Sequence, residues 1–143
     1  MSFSGDFDGI ENVEVPSQRA GYITPGLWVL EVQRLERIAS KMKRGVRYFI
    51  ATFVVVEGPE GIGQERAWVL KLDDPTIYLR EIKAFVSTLL DADTIVTGDV
   101  VEGLLSADQP AARCRIRCEA REATSKAGRP FTRLTWQPFT GNQ

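Results

Sequence analysis

Between residues 111 and 124 apolar and charged side chains alternate one by one. Cys114, Ile116, Cys118 and Ala120 occupy one parity; Arg113, Arg115, Arg117, Glu119 and Arg121 occupy the other. Successive side chains of a strand point to opposite faces, so this period of two describes a strand with one packed face and one arginine ladder. Residues 131–137 form a second strand, with Leu134 and Trp136 on one face and Phe131, Arg133 and Thr135 on the other. The connection Thr124-Ser125-Lys126-Ala127-Gly128-Arg129-Pro130 has the polar and glycine content of a hairpin loop, with two cations near its tip. The rest of the chain reads as the frame that holds this hairpin next to a second basic loop.

At 143 residues the chain fits one domain with its own core. The net charge is -1, so no global field recruits a polyanion, and a nucleic-acid role has to come from local clustering. The charge is unevenly spread. Residues 1–20 hold Asp6, Asp8, Glu11 and Glu14 against Arg19, a net of -3, which leaves +2 for the remainder. Histidine is absent, which removes the commonest general base and the commonest metal ligand. Cys114 and Cys118 lie four apart on one strand face, about 13 Å between Cα atoms, too far for a disulfide. Two thiols without a histidine also make a poor zinc site, so they read as small buried hydrophobes in a reducing compartment. No apolar run approaches a membrane span and the N-terminus lacks a signal-peptide pattern. A cytoplasmic protein is expected.

Residues 1–20 mix Ser, Gly, Asp and scattered apolar residues without period, and are expected to be an acidic arm, either free or draped on a body comprising residues 21–143. An opening turn ends at Gly26. Residues 27–38 then form a long strand with Trp28, Leu30 and Val32 inward and Glu31 and Gln33 outward; Leu35 and Ile38 break the alternation, which predicts a bulge. The loop Ser40-Lys41-Met42-Lys43-Arg44-Gly45 carries three cations; taken alone it reads as a solvated turn. Residues 47–57 make a second strand whose two faces are both largely apolar, Phe49, Ala51, Phe53 and Val55 against Tyr48, Ile50, Thr52 and Val54. One of those faces is therefore covered by another element or used for binding. Residues 66–72 are a third strand. Asp73-Asp74-Pro75 is a helix start, and Tyr78, Ile82, Phe85, Val86 and Leu89 continue it at helical spacing to about Leu90, where Asp91 and Asp93 oppose the dipole. A short second helix is expected over residues 100–105.

Strand, strand, strand, helix, strand, strand is the order of the OB-fold, a five-stranded Greek-key barrel with a helix between strands 3 and 4. The gripping loops of that fold join strands one and two and strands four and five, which here are the two basic loops. The body also resembles a known group. Thr24-Pro25-Gly26-Leu27-Trp28-Val29-Leu30, Arg44-Gly45 with the apolar strand ending Glu57-Gly58, and Ser125-Lys126-Ala127-Gly128-Arg129-Pro130-Phe131 with Leu134-Thr135-Trp136-Gln137-Pro138 are similar to segments of the phage OB-fold single-stranded DNA-binding proteins. The resemblance covers residues 24–138 in outline. It implies binding of single-stranded DNA with little sequence preference, protecting it during DNA replication or recombination. Several such proteins end in an acidic tail that recruits replication partners. Here the acidic stretch is N-terminal and residues 140–143 carry no charge, which puts tail-mediated recruitment in doubt.

Binding single strands without sequence preference needs cations that track phosphates and flat side chains on which bases stack. The candidate cations are Lys41, Lys43, Arg44, Lys126 and Arg129 in the loops and Arg115, Arg117 and Arg133 on the wall; the candidate platforms are Tyr48, Trp68 and Phe131. Each has a structural alternative. Trp68 shares parity with Leu70 and Leu72 and reads equally as core, as Trp28 and Trp136 do outright. The arginine ladder reads equally as a solvated face paired with Glu119 and Glu122. No nucleophile has an evident base and no carboxylate cluster suits a metal, so neither an enzyme nor a cofactor is expected. The partners considered are single-stranded DNA, a second copy of the chain, and replication or recombination proteins, with no membrane. The rival reading is an OB-fold protein-interaction or structural module that does not bind nucleic acid.

Overall fold

The computed structural model describes residues 22–40, 44–91 and 93–139. The expected cations Lys41 and Lys43 and the acidic arm lie outside the described residues. Five strands and two helices follow one another: β1 (Gly26–Ala39), β2 (Arg47–Glu57), β3 (Glu65–Lys71), α1 (Pro75–Ser87), α2 (Gly98–Leu104), β4 (Arg115–Thr124) and β5 (Pro130–Pro138). All neighbouring strands pair antiparallel in one sheet of order β3-β2-β1-β4-β5. The chain therefore returns after the helices to lay β4 on the free side of β1. Trp28, Leu30, Val32 and Leu35 of β1, Phe49, Ala51, Phe53 and Val55 of β2, and Ile116, Cys118 and Ala120 of β4 face one core.

The irregularity foreseen in β1 is present. Its register against β2 slips between Val29 and Leu30 and again between Val32 and Arg34. Such slips add coiling, which lets one 14-residue strand serve two neighbours. Pairing with β4 stops at Glu31. Beyond it the Gln109 side chain takes over as a surrogate strand, accepting from Leu35 N at 2.7 Å and donating to Leu35 O at 2.9 Å.

The core does not depend on a closed ring of backbone ladders. The sheet is the five-stranded antiparallel one expected, and it is open between β3 and β5. Aromatic side chains join the two edges instead. The Trp68 and Trp136 rings lie 5.0 Å apart by centroid, and Phe85 of α1 touches both, at 5.3 and 4.9 Å. Phe85 also contacts Phe49 and Phe53, so five rings meet at the helix. Burying each large ring contributes about 1.5–3 kcal/mol, and edge-to-face pairs add about 0.5–1.5 kcal/mol.

The helix start is as expected: Asp74 accepts from Thr76 N at 3.0 Å, with Pro75 following. The end differs. The helix stops at Ser87 rather than near Leu90, because the Thr88 N–H turns back to Phe85 O and Val86 O and its hydroxyl donates to Phe85 O. Helix α2 begins earlier than expected, since Thr97 caps it by accepting from Val100 N. β4 begins at Arg115. Arg113 stands before the strand at a φ of 75°, its N–H bonded to Val32 O, and so leaves the ladder. Gly58 is dictated by packing: a Cβ there would fall 2.5 Å from Trp28 Cε3.

Candidate nucleic-acid interface

The β4–β5 hairpin has the composition of an anion-binding surface. From Arg115 to Pro138 it holds Arg115, Arg117, Arg121, Lys126, Arg129 and Arg133 against Glu119 and Glu122, a net of +4 in a chain of net -1. Pairing fixes the faces. Ile116, Cys118 and Ala120 sit opposite Pro138, Trp136 and Leu134 on the core side. Arg117, Arg121 and Ala123 sit opposite Gln137, Arg133 and Phe131 on the outer side. Gly128, at a φ of 82°, turns the tip, where Arg129 N donates to the Ser125 hydroxyl.

Neutralisation grades along this face. At its base Arg115 is paired with Glu31 of β1 at 3.3 Å. The Arg117 guanidinium lies over the Phe139 ring, 5.6 Å from its centroid. Arg121 is held by Glu119. Lys126, Arg129 and Arg133 have no ion-pair partner among the described residues. Of the carboxylates expected to pair with the ladder, Glu119 does so, with Arg121; Glu122 makes no ion pair among the described residues, and Glu31 of β1 takes Arg115 instead. Arg121 and Arg133 face each other directly across the ladder. Like charges in that position destabilise a sheet.

Phe131, two residues from Arg133 on the same face, is 42% exposed. It borders a groove of about 750 Å³ that runs along the open side of the sheet, lined by Trp68 and Leu70 of β3, Arg80 of α1, and Phe131, Arg133 and Trp136 of β5. The indole N–H of Trp136 is buried without a hydrogen-bond partner among the described residues. Trp68 packs on Phe49, Phe85 and Trp136, as its core reading expects, and its partly exposed remainder borders the groove. Arg80 was missed because helical spacing places it on the solvated face of α1; no local pattern tells that this face borders β5.

A comparison with protein-family models and with curated protein sequences finds no match.

The other candidates are elsewhere. Arg44 is exposed in the turn after β1, and Tyr48 is half-buried near the start of β2 beside Ile38 and Lys71. The register hangs the two basic turns from opposite ends of β1: Ala39 pairs with Arg47 at one end, and Gly26 with Ala120 at the other, with the β4–β5 tip beyond it. On the outer side of β2, Ile50 and Thr52 are buried, so that face is covered. Cys118 is buried and its thiol is pushed up to about 12 by desolvation and the neighbouring Glu119 carboxylate; burial also raises Cys114. Both are free thiols, in keeping with the spacing argument. Among the described residues no group of His, Cys, Asp and Glu has the arrangement of a metal site, and no helix is long and apolar enough to cross a membrane.

Proposed function

We propose that the chain is an OB-fold, Greek-key single-stranded DNA-binding protein that covers DNA with little sequence preference during phage-type replication or recombination. The strand order supports the fold reading, with β1-β2-β3 as a meander and β4 beside β1. The observation that carries the functional reading is the Arg121–Arg133 apposition with Phe131 next to it. Folding alone disfavours two arginines in directly opposite positions, and Glu119 offsets only Arg121; a phosphate between them turns the remaining cost into a gain. Phe131, with the exposed part of Trp68 across the groove, offers the stacking surface that a base needs. Arg80, Arg129 and Lys126 extend the cationic track on either side.

Titration of fluorescein-labelled oligo-dT, followed by anisotropy at rising salt, tests this reading. Binding that weakens steadily with salt, with quenching of tryptophan emission, is the expected result. No change in anisotropy at micromolar protein and low salt would overturn it. That result would favour an interaction module, for which exposed Leu27 and Leu79 are the supporting features.

A further inference from the structure

A second cleft lies where α1 and α2 meet β1, β2 and the end of β3. Its volume is about 320 Å³, within the size range of small-molecule sites. The floor is apolar: Phe49, Leu72, Ile82, Val96, Val101 and Leu105. Four charged side chains form the rim, Arg37, Arg47, Lys83 and Glu102. Two of them cancel. Arg37 donates from both Nη atoms to the two carboxylate oxygens of Glu102, a two-pronged bond that ties α2 to β1. This bond raises the Arg37 pKa and lowers that of Glu102, so both stay charged. Arg47 and Lys83 have no ion-pair partner among the described residues, and no further carboxylate lines the cleft.

An apolar hollow with two uncompensated cations at its mouth selects for one kind of occupant. The geometry points to a binding site for a small amphiphilic anion, a compact apolar body seated on Phe49 and Val101 that carries a carboxylate to Arg47 and Lys83. Walls on three sides, from the sheet, α1 and α2, suit a single small molecule rather than a segment of polymer. A neutral molecule of the same shape gains the apolar contacts and forgoes the charged ones. The site is separate from the hairpin surface and does not depend on the DNA-binding reading.

Methyl-resolved NMR of the full chain, titrated with octanoate and separately with octanamide, tests the assignment. Octanoate is expected to give saturable shifts in the Ile82, Val96, Val101 and Leu105 methyl groups, with octanamide about tenfold weaker, or ~1.4 kcal/mol. Arg47→Gln with Lys83→Gln, both at exposed positions, is expected to bring the two ligands to the same affinity while leaving the thermal midpoint in place. Shifts confined to Leu70 and Leu134 at the β3–β5 groove, equal affinities in the parent protein, or a preference that survives the double substitution would each overturn the proposal.

Discussion

Arg133 carries opposite consequences for folding and for binding. Its cross-strand register partner is Arg121. Arg133→Gln keeps a polar side chain and removes the like charge, so chemical denaturation is expected to show a gain of about 0.2–0.5 kcal/mol. The same substitution is expected to weaken oligo-dT binding and to reduce the magnitude of the salt slope by about 0.7, the value for one lost phosphate contact. A variant that loses stability and keeps its affinity would remove the basis for the binding reading. The thiols offer a second measurement. Cys118, with its pKa about 12, remains a protonated thiol at neutral pH, so a thiol reagent is expected to leave it untouched in the native protein and to modify it after unfolding. The Arg37–Glu102 pair has two pH limits. Glu102 is shifted below 4.5, so its contribution is complete above that value and is lost only as acid protonates it at its lower folded pKa. Arg37 is raised further above its already high ordinary value by the bond to Glu102, so its share is lost only in strong base.

Helix α1 depends on one cap and one ring. Asp74→Ala removes the acceptor for Thr76 N and is expected to cost about 1 kcal/mol, read as a lower denaturant midpoint with unchanged slope. Phe85→Ala empties the junction of five rings and is expected to cost about 3–5 kcal/mol. The cap was legible from Asp74-Pro75 because capping is local chemistry. So were the faces of β4 and β5 and the bulging of β1, since alternation and its failure are written residue by residue. The Gln109 clamp on Leu35 was not legible: the two residues are 74 positions apart, and an isolated glutamine in a polar loop carries no sign of its partner. Arg80 at the groove was hidden for the same reason, because it depends on where α1 lies against β5.

Among the described residues the sheet is open between β3 and β5, with Tyr22 bridged to Ala67 at the β3 edge. The order of the strands was recoverable from the order of elements along the chain. Whether β3 and β5 join was not, because hydrogen bonding between strands so distant in sequence leaves no local trace. The expectation that two basic turns flank one groove rested on the positions of the two gripping loops in the OB-fold. The register separates the turns along β1, and the cationic character concentrates on the β4–β5 hairpin instead. At this scale the expected signature is a binding footprint centred on the hairpin: an oligonucleotide crosslinks to Phe131 and Trp68 before it crosslinks to Tyr48.

The open side is held shut by two indole rings and a phenyl ring, not by amide ladders. On the proposed reading, a base that reaches this side meets packed aromatic side chains rather than a main-chain ladder, so the contact is made through ring faces and edges.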